Sequence, residues 1–327
     1  MNSFRTEIII PPSPFKINHQ SIILLIGSCF TENIGALLQE YKFNVDINPF
    51  GIVYNPISVL HNLETLFECK IFSKENLSFH NDLYFSFDHH GKFSDPDPKA
   101  CLQRINENIM FSSKQLLKAD YLIITFGTSW IYRHAETGRI VSNCHKLPSS
   151  HFNREILRVE EIVDAYISFI QRLLDVNPNL KIIFTVSPVR HWKDGAEQNT
   201  ISKSTLILAI RGIMSELRSA SYFPAYELAV DDLRDYRFYA DDLVHPNNQM
   251  TQYIWEKFRE TYMDEDTIDL MDELEPVIQA AKHKPFHPGS DSHKKFLNRQ
   301  IKNIEVLLKK YPFLDFEKEK EYFVQKL

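Results

Sequence analysis

Residues 22–33 read IILLIGSCFTEN, and this stretch decides the fold. Five consecutive aliphatic residues lead into Gly27, Ser28 and Cys29, and the residues that follow can begin a helix. Strands that are buried on both faces have this composition, and parallel sheets covered by helices contain such strands. The stretch therefore predicts a buried strand followed by a helix, with Ser28 at the carboxyl end of the strand.

Two other stretches, 121–126 (YLIITF) and 181–186 (KIIFTV), predict buried strands of the same kind. A further candidate, 222–228, is weaker because Pro224 cannot donate a hydrogen bond to a neighbouring strand. The segments between these runs carry apolar residues at helical spacing. Helices are expected at 31–41, 56–68, 100–118, 159–174, 204–219 and 247–263. This alternation predicts a layered α/β domain whose strands are joined by right-handed crossovers.

Two regions depart from the alternation of strands and helices. Residues 77–94 alternate apolar and polar side chains, which predicts a β-hairpin insertion. The last part of the chain is charged and helical in pattern, with a polar hinge at 286–292. We therefore expect a main domain at 1–264 and a helical extension at 265–327 that packs on it.

The composition is that of an ordinary soluble globular protein. Of the 327 residues, 43% are hydrophobic and 24% are charged, and the net charge is −6. This charge argues against a basic surface for nucleic acid, and no apolar run reaches the roughly 18 residues of a membrane span. The N-terminal residues do not resemble a secretory signal, and the four cysteines contain no Cys-x-x-Cys pair. We expect a cytoplasmic protein with reduced thiols, whose oligomeric state the sequence leaves open.

Patterns typical of metal or cofactor sites are missing from the sequence. There is no His-Glu-x-x-His motif, and the stretch Gly127-Thr128-Ser129 lacks the spacing and the lysine of a phosphate-binding loop. His89 and His90 are expected at the surface of a turn. We therefore expect no metal and no cofactor.

Ser28 is the first candidate for chemistry. Open α/β sheets bind ligands at the carboxyl ends of their strands, and the N–H groups of a helix start stabilise a negatively charged oxygen. The alternative is that Ser28 merely caps the helix. Only 9 glycines occur in the chain, so those near such a site are expected where the backbone needs them, namely Gly27, Gly51 and Gly127.

The second candidate is the stretch FYADDLVHPN at 238–247. Asp242 and His245 are three residues apart, so one loop can carry both, and Pro246 favours an extended conformation at His245. The carboxylate can accept one ring N–H of the imidazole and leave the other nitrogen to take a proton from a serine. The alternative is that both side chains are solvated loop residues.

Together, these motifs resemble those of the GSCFA family, an SGNH-hydrolase-like branch of the GDSL-type esterases and lipases. The order of a serine after the first strand and Asp-x-x-His near the end of the domain is that of SGNH enzymes. The name-giving motif reads Gly27-Ser28-Cys29-Phe30 here, with Thr31 in place of alanine. Further similarity extends through the stretches 48–56, 125–133, 141–148, 187–195 and 238–247, whereas the helical tail lies outside these motifs.

The resemblance implies an α/β/α sandwich with a five-stranded, mainly parallel sheet. It also implies that Ser28 is the nucleophile, His245 the base and Asp242 its orienting partner. The oxyanion hole would be formed by Ser28, Gly51, Gly127 and Ser129. The sequence departs from the SGNH pattern in one respect, because Gly127-Thr128-Ser129-Trp130 replaces the usual Gly-x-Asn-Asp and thereby lacks one side-chain donor.

Four residues are candidates for binding the substrate. Asn55 belongs to the second of the SGNH sequence blocks, the one that holds Gly51, and could replace the missing oxyanion donor. Trp130 is the last residue of the third block, in which residues 127–130 read GTSW.

Arg190 and His191 follow a buried strand together with Trp192 and Lys193, so we expect them at the same carboxyl-end crevice. There Arg190 and Trp192 could bind a sugar ring or an anionic group. The alternative is a solvated loop with one aromatic anchor.

The residues predict acyl transfer through an acyl-Ser28 intermediate, and the resemblance implies that the protein is a serine-dependent hydrolase of esters. By the same resemblance, the substrate is expected to be a small-molecule or carbohydrate ester with a short acyl group, such as an O-acetyl group. Two alternatives remain: an O-acyltransferase that uses the same site, and a binding protein that keeps the fold but catalyses weakly.

Overall fold

A computed structural model of the protein describes residues 6–327. The strands in this range are β1 (Ile22–Gly27), β2 (Asn44–Ile47), β3 (Ser78–His80), β4 (Leu83–Phe85), β5 (Tyr121–Phe126), β6 (Trp130–His134), β7 (Ile140–Val141), β8 (Phe152–Ile156), β9 (Lys181–Val186) and β10 (Ala220–Phe223). The helices are α1 (Cys29–Glu40), α2 (Pro56–Phe67), α3 (Pro98–Lys118), α4 (Val159–Val176), α5 (Gly195–Glu216), α6 (Ala225–Glu227), α7 (Asn248–Tyr262), α8 (Glu265–Lys282), α9 (Asp291–Lys310) and α10 (Glu317–Gln325).

A five-stranded parallel sheet forms the centre of the main domain, in the order β10-β9-β5-β1-β2. Its three middle strands are the apolar stretches that the sequence analysis predicts as buried. Strand β10 ends at Phe223, directly before Pro224, so the strand expected at 222–228 begins and ends earlier than predicted. The edge strand β2 has only two apolar residues and was not expected from its own sequence.

Alternate residues of the middle strands face two different apolar cores. In β1, Leu24 and Ile26 point into a core formed with α2, α3, α4 and α5. Ile23 and Leu25 point into a second core formed with α1 and α7. Because helices cover both faces of the sheet, the domain is the three-layer α/β/α sandwich that the resemblance implies.

Two small antiparallel sheets lie outside this sandwich. Strands β3 and β4 pair as the hairpin expected within 77–94. His89 lies in the segment after that hairpin and is only 1% exposed, with its ring between Phe50 and Phe72, so its predicted position at a turn surface is wrong. Strands β7, β6 and β8 form a three-stranded sheet that the sequence did not predict.

Helices α8, α9 and α10 follow the sandwich and share an apolar core of their own. The polar hinge at 286–292 lies between α8 and α9, where the sequence analysis places it. Met271 of α8 belongs to the second core of the sandwich, and Lys42 forms a 2.7 Å ion pair with Glu319 of α10. The extension is therefore helical and packs on the main domain, while the boundary at residue 264 stays a prediction. None of the helices in residues 6–327 is long and apolar enough to cross a membrane.

Candidate active site

The candidate site is formed where β1, β5 and β9 end side by side. The N–H of Ser28, one residue past β1, donates to the carbonyl of Thr125 in β5 at 3.3 Å. The N–H of Ser187, one residue past β9, donates to the carbonyl of Phe126 at 2.8 Å. Neighbouring strands are about 4.8 Å apart, so the residues after these three strands lie close together at one edge of the sheet.

Gly27 is required at the end of β1 for a steric reason. Its φ angle is +144°, a region that side chains rarely allow, and a Cβ atom at this position would lie 2.1 Å from the carbonyl oxygen of Thr125. Gly51 has a φ angle of +77°, and a Cβ atom there would lie 2.3 Å from the Cβ atom of His90. Both glycines therefore allow a backbone course next to Ser28 that other residues would block.

Ser28 is the N-cap residue of α1 and is only 1% exposed. Its backbone is extended, and its Oγ accepts a hydrogen bond from the N–H of Phe30 at 3.3 Å. The cap that the sequence analysis gave as an alternative is thus present. A hydroxyl that accepts one bond still has a proton to donate, so capping does not prevent Ser28 from acting as a nucleophile.

Asp242 and His245 form a hydrogen-bonded pair on the loop before α7. Oδ2 of Asp242 lies 2.6 Å from Nδ1 of His245, and Oδ1 accepts the backbone N–H groups of Val244 and His245, each at 2.9 Å. These backbone bonds, and then the imidazole, lower the pKa of Asp242 to about 2. The carboxylate therefore stays ionised and holds the imidazole, while no residue in 6–327 forms a hydrogen bond to Nε2.

The structure does not join this pair to Ser28 by a hydrogen bond. Both side chains of the pair are 52% exposed, whereas Ser28 is buried. The loop itself is closed by backbone bonds from Ala240 N–H to the His245 carbonyl and from Asn247 N–H to the Phe238 carbonyl. For proton transfer, the His245 ring must approach Ser28, and hydrogen bonds of this kind are often long in ligand-free enzymes.

The N–H groups expected in the oxyanion hole already have acceptors. Gly51 N–H donates to the Asn48 carbonyl and Gly127 N–H donates to the Tyr54 carbonyl, each at 2.7 Å. Ser129 is fully buried, and its Oγ has no hydrogen-bond partner among the described residues. The backbone N–H of Cys29, at the first position of α1, has no acceptor within residues 6–327 other than its own thiol. Because Ser129 is closed to solvent, Cys29 N–H is the donor at this edge that a substrate oxygen could use without displacing a carbonyl.

Cys29 itself is an unsuitable nucleophile. Burial raises the pKa of its thiol, so the reactive thiolate form is disfavoured. The positive charge of Lys203 opposes this effect but ranks below it.

The four candidate substrate residues do not form one cluster of free side chains. Asn55 caps α2: its Oδ1 accepts from Ser58 N–H at 2.8 Å, and its Nδ2 donates to Ser58 Oγ at 3.0 Å. Trp130 begins β6, and the guanidinium of Arg154 lies 4.8 Å from the centre of its ring. Burial lowers the pKa of His191 to about 4, which leaves this ring neutral near pH 7.

Arg190 faces an open cleft of about 480 Å³ beside the Asp242 loop. Its Nε is buried, and within residues 6–327 no acceptor or carboxylate pairs with its guanidinium. The rim carries two aromatic side chains, Trp192 at 45% and Tyr236 at 70% exposure. An unpaired guanidinium with exposed rings is an arrangement that can bind a sugar or an anion.

Residues 22–258 match the model of the GSCFA family, and residues 274–327 match the C-terminal domain of GSCFA domain proteins. The chain belongs to the GSCFA family. This confirms the resemblance drawn from the motifs, and it shows that the helical tail, which lies outside those motifs, is also a GSCFA domain. No curated protein matches the chain in sequence.

Solved structures that are similar to this GSCFA protein include three whose names describe a function. The first is a Streptococcus pneumonia protein provisionally named a platelet activating factor (12% identity, TM-score 0.37, covering 77% of this chain and 84% of the other). The second is a carbohydrate esterase family 2 enzyme of Corynascus thermopiles, also called Myceliophthora fergusii (15% identity, TM-score 0.37, 76% and 66%). The third is an acetyl xylan esterase, Est2A, of Butyrivibrio proteoclasticus (13% identity, TM-score 0.35, 76% and 63%). Similarity of this strength does not establish a shared activity.

The sequence analysis missed two residues of the GSCFA domain that contact the third block. Ser202 Oγ accepts the N–H of Ser129 at 2.8 Å, and Lys203 Nζ donates to the carbonyls of Gly127 and Ser187, each at 2.7 Å. Both residues belong to the first turns of α5, which begins nine residues before the predicted start of the helix. Lys203 continues the apolar stripe of Leu206 and Ile210 at helical spacing, and this was the signal available in the sequence.

No group of three or more His, Cys, Asp or Glu side chains in residues 6–327 is arranged to hold a metal ion.

Proposed function

We propose that the protein is a serine esterase that hydrolyses short-chain acyl esters through an acyl-Ser28 intermediate. The observation that carries this proposal is the 2.6 Å bond between Asp242 and His245, which leaves Nε2 of the imidazole free. A histidine held in this way is suited to remove a serine proton near neutral pH. Ser28 supplies the hydroxyl at the N-terminus of α1, where the helix dipole favours negative charge.

The reaction proceeds in two acyl-transfer steps. Ser28 Oγ attacks the ester carbonyl carbon, its proton passes to Nε2 of His245, and the carbonyl electron pair moves to the oxygen. The anion collapses, the bond to the alcohol breaks, and His245 returns the proton to the leaving alkoxide. Water then repeats the sequence on the acyl-serine and releases the carboxylic acid, which restores Ser28.

The cleft beside Asp242 supports a carbohydrate ester as the substrate. Tyr236 offers an exposed aromatic face to a sugar ring. The Arg190 guanidinium lies 5.9 Å from the centre of the Trp192 ring, has no acceptor within residues 6–327, and offers donors to sugar hydroxyl groups or to an acidic substituent. An acyl group on a sugar bound in this cleft would lie beside the loop that carries Asp242. A sugar hydroxyl in place of water would make the same site an O-acyltransferase.

The alternative of a weakly catalytic binding protein has one observation in its favour. The N–H groups of Gly51 and Gly127 are bonded to carbonyls, so the oxyanion hole expected from the family motifs is not free. Loss of one oxyanion donor typically costs about 10²–10³ in rate. A binding protein would hold the carbohydrate in the cleft without reacting at Ser28.

Reaction with a fluorophosphonate separates the two proposals. We expect one adduct per chain, located on Ser28 by peptide mapping, and its loss in Ser28→Ala and in His245→Ala. Cys29→Ala is the matched control and should label as the wild type does. Absence of an adduct, together with no hydrolysis of 4-nitrophenyl acetate, would contradict the esterase proposal and favour the binding protein.

A further inference from the structure

Lys203 is a lysine whose charge is buried beneath the candidate site. Its side chain is 2% exposed, and its ammonium reaches the carbonyls of Gly127 and Ser187 at the ends of β5 and β9. Charged groups that are buried this completely are almost always paired with an opposite charge. Within residues 6–327, no carboxylate forms an ion pair with Lys203.

The ammonium also has a donor to spare. It carries three N–H groups, and only two of them have acceptors among the described residues. The groups that face it from neighbouring elements do not supply a negative charge: they are the Cys29 thiol of α1, Arg190 and His191 after β9, and the ring of Tyr226 in α6, whose centre is 5.4 Å from Nζ. When the amine of Lys203 is protonated, its charge is therefore uncompensated in the free protein.

Lys203 lies close to the candidate nucleophile. Ser28 donates its N–H to the carbonyl of Thr125, and Lys203 binds the carbonyl of Gly127, only two residues further along the same stretch, so both lie at one edge of the sheet. The charge of Lys203 also acts on the thiol of Cys29, the residue next to Ser28. A buried positive charge at this edge acts strongly on any negative charge that forms at the site.

We propose that Lys203 is a positioning residue of the Ser28 site. It holds the loop at residues 127–129, here called the Gly127 loop, through its bond to the Gly127 carbonyl. Its uncompensated charge stabilises the oxyanion that forms when Ser28 attacks an ester. This inference rests on the proposed function and extends it to a residue outside the family motifs. It explains how this site can stabilise an oxyanion although its third block lacks the usual Asn donor. The negative charge that balances Lys203 appears only in the transition state and the tetrahedral intermediate.

Ser202 provides a matched control, because it holds the same loop without a charge. Its Oγ accepts the N–H of Ser129 and lies 3.0 Å from Thr128 Oγ1. Ser202→Ala therefore loosens the loop and keeps the ammonium. Lys203→Met removes the ammonium and keeps much of the side-chain volume, and Lys203→Arg keeps a positive charge.

The test measures the rate at which a fluorophosphonate labels Ser28, together with kcat and KM for 4-nitrophenyl acetate. In folded Lys203→Met we expect the labelling rate and kcat to fall about ten-fold or more, with KM nearly unchanged. Lys203→Arg should recover part of the rate, and Ser202→Ala should lose less than Lys203→Met. Folded Lys203→Met that reacts at the wild-type rate, or Lys203→Arg no faster than Lys203→Met, would overturn the proposal.

A second measurement can be made on the wild type alone and decides the question if the Lys203 variants do not fold. Phenylboronic acid forms a negatively charged tetrahedral adduct with an active-site serine. The protein is labelled with ¹³C at lysine Cε, and the signal of Lys203 is identified by its absence in Lys203→Arg or by its titration, since burial lowers the pKa of this lysine to about 7. The adduct should raise that pKa by about one unit, and an unchanged pKa would overturn the proposal. If neither reagent reacts at Ser28, the proposed function fails instead.

Discussion

The two halves of the candidate site differ in how the fold holds them. Ser28 follows the buried strand β1, and the ammonium of Lys203 in α5 reaches the ends of β5 and β9. Both residues are almost fully buried and hydrogen-bonded to the backbone. Asp242 and His245 lie on the loop before α7 and are half exposed. The first half is part of the core and its changes should cost stability, whereas the second half is held by local bonds and its changes should chiefly cost activity.

The largest expected effect comes from two single substitutions, one in each half of the site. Ser28→Ala and His245→Ala should each lower kcat for 4-nitrophenyl acetate by about ten-thousand-fold or more, because each removes one partner of the proton transfer. Only Ser28→Ala should also lower the free energy of unfolding, by about 1 kcal/mol, since it removes the N-cap of α1. Urea unfolding checks the difference. Equal destabilisation by both variants would show that the two halves do not differ in how the fold holds them.

Asp242→Asn should lower kcat by about a thousand-fold to ten-thousand-fold with only a small loss of stability, because the amide oxygen can still accept the N–H groups of Val244 and His245. The amide keeps the size of the side chain but no longer favours the tautomer that frees Nε2 of His245 to accept a proton. Steady-state kinetics and thermal unfolding check both parts. An active variant would show that the pair on the loop has no part in the chemistry.

Gly27→Ala should cost more than about 3 kcal/mol of unfolding free energy. Its Cβ would collide with the Thr125 carbonyl at a φ angle of +144°, in the part of the site that belongs to the core. Gly91→Ala is the control, because no atom lies within 4 Å of the added Cβ there. A stability loss of similar size in both variants would contradict the steric account.

The smallest expected effect is a dependence of stability on pH that arises from Lys203. Burial lowers its folded-state pKa to about 7 from the ordinary value of 10.5, so the unfolded chain binds more protons between these values. The free energy of unfolding of the wild type should therefore rise with pH across this window, by at least about 1 kcal/mol relative to Lys203→Met. Parallel curves for the two proteins would show that Lys203 keeps its ordinary pKa.

Much of the fold could be predicted from the sequence because the middle strands are continuous apolar runs. The edge strand β2 escaped prediction because Asn44 and Asp46 interrupt its apolar residues. Strand β10 ended early because Pro224 cannot pair. The sheet of β6, β7 and β8 mixes charged and apolar residues on short strands, and whether such strands form depends on their packing in the folded chain.

The parts of the site that could be predicted are those whose residues lie close together in the sequence. Asp242 and His245 are three residues apart, so their bond follows from the sequence, and the glycine scarcity pointed to Gly27 and Gly51. Lys203 was missed although it continues the apolar stripe of Leu206 and Ile210, because a lysine in a helix is ordinarily a surface residue and its burial depends on where α5 packs. The acceptors of the Gly51 and Gly127 N–H groups likewise depend on the tertiary course of the chain.

The central claim is that the exposed pair on the loop acts on the buried serine. A crystal structure of the phenylboronic acid adduct tests it most directly, through the distance between His245 Nε2 and Ser28 Oγ. We predict a boronate bonded to Ser28 Oγ, with Nε2 within about 3.2 Å of that atom and the bond to Asp242 kept. A boronate on Ser28 with His245 still directed to solvent, or a boronate on another residue, would contradict the account.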